Sequence, residues 1–283
     1  MYIMFRSRYL SLECHCRRCG TPSWRRPGTV AEGMNDIPKS HPRYASLILR
    51  EKLVEGFRNG LVVPEGLIAH GRGEMFDYLL GERTTKESRI ASRAAAAILL
   101  RAKRPVISVN GNVAALCPRE IVQLAEVAHA RIEVGLFHRT DERVSKIQNV
   151  LIEHGAKGVL GFLPDAKIPG LEHMRGLCSK DGIYSADVVL IPLEDGDRAE
   201  ALANMDKKTV AIDLNPMSRT SRASTVVIVD EATRAFPELI RNVEDLQDDA
   251  KAIGEAIRKY DRDTNLKLVA KMMSKNLSDF LDR

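Results

Sequence analysis

The run "PVISVNGNVAAL", Pro105 to Leu116, decides the fold class. Val106, Ile107 and Val109 carry the β-branched bulk that suits a buried strand, and Asn110-Gly111-Asn112 then leads straight back into small apolar residues. Asn-Gly is a common choice for a plain tight turn. A glycine between two amides also lets backbone N–H groups converge on an anion at a helix start, and the tripeptide alone leaves both readings open. Working outward, further apolar or β-branched runs stand at Ile132–Phe137, Gly158–Phe162, Val188–Ile191, Val210–Leu214 and Val226–Val229. Between them lie helical spacers at Pro118–Ala130, Arg139–His154 and Asp197–Met205. Strand alternating with helix predicts right-handed crossovers and a parallel sheet covered on both faces. The predicted class is α/β: Rossmann-like, doubly wound, a mostly parallel sheet with helical additions at both ends.

At the front, Ser40 is a suitable N-cap, Pro42 suits a first turn, and Leu47, Leu49, Leu53, Val54 and Phe57 supply an apolar face that Gly60 closes. A short segment, Gly66–His70, is read as running into a Gly71-Arg72-Gly73 loop. A helix is expected from about Glu74, and an alanine-rich one from about Thr85 to Lys103. After Val229 the chain turns helical and charged, with C-terminal helices at Lys251–Tyr260 and Leu266–Leu281. No repeat, low-complexity tract or Pro/Gly/Ser-rich linker interrupts this order. Residues 34–283 read as one α/β domain with C-terminal helices from about 233.

Of the 283 residues 44% are hydrophobic, enough for a sizeable core. The richest stretch, Ala94 to Leu100, is flanked by Arg93 and Arg101, which excludes a membrane span. Without an apolar block near the start no signal peptide is expected, and a cytoplasmic location is. The net charge of +5 is uneven: six arginines against Glu13 and Glu32 give residues 1–33 a net +4, leaving +1 for the rest. A nucleic-acid partner is therefore not expected. The same segment holds Cys14, Cys16 and Cys19, and "CHCRRCG" has half the ligands of a zinc knuckle with no second pair before His41. It reads as an extension outside the fold. Cys117 and Cys178 stand alone, as reduced thiols do.

In open parallel sheets ligands bind beyond the carboxyl ends of the strands. Three such ends, and the Gly71 loop, concentrate polar groups: Asn110–Asn112; Glu194-Asp195-Gly196-Asp197-Arg198; Asp213-Leu214-Asn215-Pro216-Met217-Ser218-Arg219-Thr220; and Gly71-Arg72-Gly73-Glu74. Glu194, Asp195 and Asp197 suit Mg²⁺, although Asp197 also suits a helix N-cap. Arg72 between glycines offers a bidentate donor to phosphate or carboxylate. Position 76 is Phe, so Gly71 does not begin a dinucleotide fingerprint, and no Walker-type loop occurs.

Seven blocks carry a specific resemblance: "IPKSHPRYASLILREKLVEG" (37–56), "GLIAHGRGEMFDYLLGE" (66–82), "PVISVNGNVAALCP" (105–118), "IEVGLFHRTDERV" (132–144), "IPGLEHMRG" (168–176), "ADVVLIPLEDGDRAEAL" (186–202) and "IDLNPMSRT" (212–220). From Ile37 to about Pro237 the chain resembles the archaeal phosphopantothenate synthetases, or 4-phosphopantoate–β-alanine ligases. That resemblance implies a Rossmann-like homodimer. It also implies ATP-dependent coupling of 4-phosphopantoate to β-alanine, giving 4′-phosphopantothenate, AMP and pyrophosphate through an acyl adenylate. It carries ATP-binding roles onto Arg50, Arg72, Asp213, Leu214, Asn215, Arg219, Thr220, Glu231 and Ala232. Asparagine is usual in the family where this chain has Glu231, so a backbone contact is expected there. Lys39, His41 and His70 are the catalytic candidates, with Glu74 beside them as a further base. Asn110, Gly111, Asn112 and Arg43 are the substrate-binding candidates, the tripeptide cradling the phosphate of phosphopantoate. Gly111→Val is then expected to abolish that binding with the fold intact. Two other readings use the same residues: a kinase or transferase of a phosphorylated acid releasing ADP, and a non-enzymatic Rossmann-like nucleotide sensor.

Overall fold

The computed structural model describes residues 37–281 except His173. The cysteine motif at Cys14–Cys19 falls outside the described residues. Six strands form one parallel sheet: β1 (Pro105–Val109), β2 (Arg131–Val134), β3 (Val159–Leu160), and, after a short antiparallel pair β4 (Ala166–Lys167) and β5 (Leu177–Cys178), β6 (Val188–Pro192), β7 (Lys208–Ile212) and β8 (Val226–Ile228). Their spatial order is β3-β2-β1-β6-β7-β8. The chain grows from β1 to one side and then restarts beside β1 to grow the other way. The order therefore reverses between β1 and β6, where doubly wound folds open a crevice at the carboxyl edge. The expected fold class is borne out.

Burial explains the strands. β1 and β6 are buried along their whole length, and alternate side chains serve two cores. Ile107, Val109, Ile132, Leu190, Val210 and Ile212 face one core; Val106, Val189, Ile191, Ala211 and Val227 face the other. On the first face lie α3 (Lys86–Arg101), α5 (Pro118–Val127), α6 (Asp141–Glu153), α9 (Ala232–Leu246) and α10 (Ala250–Lys259). Ala94–Ala97 are buried, and their small side chains let α3 approach β8 and α9 closely. On the second face lie α7 (Gly196–Asn204) and α11 (Arg262–Leu281), with the β4–β5 insertion covering the β1–β2 side through Ile168 and Cys178.

The front of the chain differs from expectation in two places. Helix α1 spans Tyr44–Arg58, and Ser40 is not its cap: its N-cap is Arg43, which makes no side-chain capping bond. Residues 38–43 instead form turns, His41 N–H donating to the Pro38 carbonyl and Tyr44 N–H to that of His41. Gly60 does close α1, in the left-handed conformation at φ +76°. The Gly71-Arg72-Gly73 loop does not exist. One continuous helix, α2 (Pro64–Leu80), runs through it, started by Pro64 after the extended Val63 and stopped by Gly81 at φ +81°. Gly73 passes beside Leu214, where a Cβ would meet Leu214 Cδ1 at an ordinary 3.6 Å.

Candidate active site

Helix α2 is the organising element. Near its start, Asn112 Nδ2 donates to the Gly66 carbonyl at 2.8 Å, anchoring it beside the end of β1. Midway, Gly73 packs against Leu214 beyond β7. Near its end, Asp77 accepts from Arg234 Nη2 at 2.5 Å, and Arg234 Nε donates to Asp230 beyond β8 at 2.8 Å. Eleven helical residues rise about 16 Å, and the three strand spacings from β1 to β8 cover about 14 Å. The helix thus lies as a bar across four carboxyl ends and forms one wall of the crevice.

On the α1 side of the bar a polar cluster forms. Arg50 grips Glu74 through its Nε–Nη2 edge, with Nη2 2.6 Å from Glu74 Oε2. Tyr78 donates to Glu74 at 2.9 Å and accepts from Arg43 Nη2 at 3.1 Å. His41 Nδ1 accepts the Arg43 backbone N–H at 3.0 Å. Burial pulls the Glu74 carboxyl up, but the Arg50 and Tyr78 hydrogen bonds outweigh it and hold Glu74 below the usual carboxylate range. Burial lowers His70, one helical turn from Glu74, against the opposing pull of that carboxylate. A neutral imidazole near pH 7 follows, so His70 can accept a proton without first losing one.

Beyond β7, Asp213 accepts Ser218 Oγ at 2.5 Å and Asn215 N–H at 2.9 Å, and Arg72 adds favourable electrostatics. Burial still raises the Asp213 pKa. Arg219 is exposed and pairs bidentately with Glu200, Nη2 to Oε2 at 2.6 Å. Thr220 Oγ1 donates to the Glu194 carbonyl at 2.8 Å. A Cβ on Gly196 would overlap Arg219 Cβ, so the loops after β6 and β7 touch where only glycine fits. At β8, the buried Glu231 carboxylate caps its own helix α9, accepting Thr233 N–H at 2.7 Å. Its charge faces the positive end of α9 and not the crevice, in keeping with a backbone role.

The carboxylates after β6 are occupied by arginines. Glu194 pairs with Arg198 at 2.8 Å, and both Asp195 and Asp197 pair with Arg175, whose guanidinium also lies 4.6 Å over the Phe137 ring. Among the described residues no group of three His, Cys, Asp or Glu side chains is arranged to hold a metal ion. The three carboxylates expected for Mg²⁺ are thus each placed against an arginine. Nor does Asp197 cap α7: Asp195 is the N-cap position and makes no side-chain capping bond.

The opening tripeptide is a keystone more than a cradle. Asn110 Oδ1 accepts Val113 N–H at 3.1 Å, capping the short helix α4 (Gly111–Leu116), while its Nδ2 donates to the Pro192 and Leu193 carbonyls at 3.0 Å. It thereby pins β1 to β6 at the point where strand order reverses. A Cβ on Gly111 would overlap the Leu61 carbonyl oxygen and stand 3.0 Å from its carbon. Valine at 111 cannot leave the fold intact, which overturns the expected outcome of Gly111→Val.

A profile of the family described as Phosphopantothenate/pantothenate synthetase matches residues 87–276. The chain belongs to that family. Relatives described as 4-phosphopantoate--beta-alanine ligase agree. The protein of Methanospirillum hungatei is 58% identical over 213 residues, 75% of this chain and 87% of its own. That of Methanosarcina mazei is 53% identical over 234 residues, 82% and 92%. That of Thermococcus kodakarensis is 49% identical over 250 residues, 88% and 92%. In this synthetase-family chain, Arg50, Arg72, Asp213–Asn215, Thr220 and Glu231–Ala232 come together along α2 and the ends of β7 and β8. Arg219 turns its guanidinium to Glu200 instead, and Lys39 and His41 stay exposed at the edge. Sequence reasoning missed Asp77, Asp230 and Arg234, although Asp230 and Arg234 stand at ion-pair helical spacing. It also left Arg198, fully buried four residues after Glu194, without a role.

Proposed function

We propose that this synthetase-family chain joins 4-phosphopantoate to β-alanine at the cost of ATP, releasing 4′-phosphopantothenate, AMP and pyrophosphate. The observation that carries the reading is the bar of α2. It gathers Arg50, Arg72, the Asp213–Asn215 turn, Thr220 and the start of α9, all assigned to ATP by family resemblance, onto one crevice. In the first step the pantoate carboxylate oxygen attacks the α-phosphorus, and the P–O bond to pyrophosphate breaks. In the second, the β-alanine nitrogen attacks the acyl carbon, AMP leaves with the bonding electron pair, and the nitrogen loses a proton. Positive charge at Arg50 and Arg72 supports the phosphoryl centre as charge moves outward. His70, neutral and one turn from Glu74, is placed to take the amine proton. Lys39, His41 and Arg43 sit at the mouth of the same cluster and would meet the acid substrate. Glu194, Asp195 and Asp197 are each paired with an arginine, and the steps above rest on Arg50, Arg72 and His70.

A homodimer in the cytoplasm completes the reading. Met75, Tyr78, Leu277 and Phe280 form an apolar groove where α2 meets α11, which supports a subunit contact. Cys117 and Cys178 are buried free thiols, with Cys178 pushed up to about 12 by burial, as suits a reducing compartment. No helix of the described residues is long and apolar enough to cross a membrane. Incubating the protein with ATP, 4-phosphopantoate and β-alanine should yield AMP and pyrophosphate in step with amide product. ADP as the nucleotide product would instead favour a kinase or transferase, and no turnover would favour a sensor.

A further inference from the structure

Arg198 is the largest fully buried side chain of the described residues, 1% exposed. Its Nη1 donates to Glu194 Oε2 at 2.8 Å, whereas Nε and Nη2 have no hydrogen-bond partner among the described residues. Those two nitrogens form one intact edge of the guanidinium plane, with parallel N–H bonds that match two oxygens of a carboxylate or phosphate. Elsewhere in this chain the same edge is used that way: Arg50 applies it to Glu74 and Arg219 to Glu200. A buried cation with two unmet donors costs stability, and a protein keeps such an arrangement where something other than folding requires it.

The position is specific. The guanidinium lies against Gly135 beyond β2, where a Cβ would overlap it, so any side chain there would displace it. Ser108 Oγ, also buried and without a partner among the described residues, projects from the same face of the β1–β2 ladder, since Ser108 is in register with Glu133 and Gly135 lies two residues on. On its other side, Gly196 at the start of α7 touches Arg219, and the Glu194 carbonyl accepts Thr220 Oγ1. Arg198 therefore occupies the β2 side of the switch point, opposite the residues assigned to ATP. Asn110 and Asn112 spend their two side-chain amides on protein carbonyls and a helix cap, so those side chains are not free to hold the substrate phosphate.

We infer that the Nε–Nη2 edge of Arg198 receives a two-oxygen anionic group of a substrate. The inference rests on the proposed ligase reading and adds a specificity residue to it. The anion has two sources in that reaction, the phosphate of 4-phosphopantoate and the carboxylate of β-alanine, and kinetics separates them. The variants are Arg198→Met and the double variant Arg198→Met/Glu194→Gln, which removes both charges of the buried pair. Without ligands the double variant should melt at or above wild type, since the unmet donors are gone. The KM of one substrate should rise at least about 100-fold, with the KM of ATP within about threefold. A shift for 4-phosphopantoate assigns the phosphate, and one for β-alanine assigns the carboxylate. Thermal protection by 4-phosphopantoate but not pantoate, lost in the variant, supports the first. Unchanged KM values for both, or loss of folding in both variants, would overturn the inference and make Arg198 a packing residue. Wild type that releases no AMP would instead overturn the ligase reading and the inference with it.

Discussion

Gly111→Ala should lower the melting temperature by roughly 6–12 °C, while Gly71→Ala should leave it unchanged or raise it. A methyl group at 111 meets the Leu61 carbonyl, and backbone cannot swing aside as a side chain does. Overpacking costs reach about 3 kcal/mol at fixed sites, and for a domain of this size each kcal/mol moves the midpoint by about 2–4 °C. Arg143 adds to the constraint, because its Nε donates to the same Leu61 carbonyl at 2.8 Å and its Nη2 also lies beside the new methyl. Gly71 is the control: it lies inside α2, and a Cβ there meets nothing within 4 Å. Alanine in an exposed helix interior is favoured over glycine by about 1 kcal/mol. Thermal melts of the two variants check the pair. Equal destabilisation would deny the keystone role of the Asn110–Asn112 turn.

Arg72→Met should reduce kcat/KM for ATP by about 100-fold or more, the loss seen when one preorganised donor is removed from a developing oxyanion, and should leave stability within about 0.5 kcal/mol. The two effects separate because of where Arg72 stands. It is exposed on α2, and its contribution is electrostatic, directed at half-buried Asp213 beyond β7. Arg50 would be a poorer test, since removing it also strips Glu74, whose side chain is 10% exposed, of its bidentate partner. Steady-state kinetics with ATP varied, together with a denaturant melt, decides the matter. A stability loss with unchanged kinetics would place Arg72 outside the nucleotide site.

The sheet was legible because its signal is local: β-branched runs between helical spacers set β1, β2, β6, β7 and β8 to within a few residues. Helix α2 was not, because Gly71 and Gly73 read as loop punctuation, whereas a proline start and tertiary contacts with Asn112, Leu214 and Arg234 hold the helix together. The carboxylates after β6 were legible as a cluster but not as paired. Arg175, which neutralises Asp195 and Asp197, comes from the β4–β5 insertion, and no local pattern announces that contact. Asn110–Asn112 was recognised as unusual for a sound reason, yet its amides serve the switch point itself. Arg198 was hidden because an arginine in an acidic loop reads as solvated, and only burial reveals it.

Backbone amide exchange with and without ATP tests the central claim, that the nucleotide lies between α2 and the carboxyl ends of β7 and β8. ATP should slow exchange over residues 66–77, 213–220 and 230–234. The opposite edge of the sheet offers the rival location, a cavity of about 330 Å³ lined by Lys103, Arg104, His129 and Arg131. Slowed exchange at 103–106 and 129–131, with residues 66–77 and 213–220 unaffected, would contradict the account.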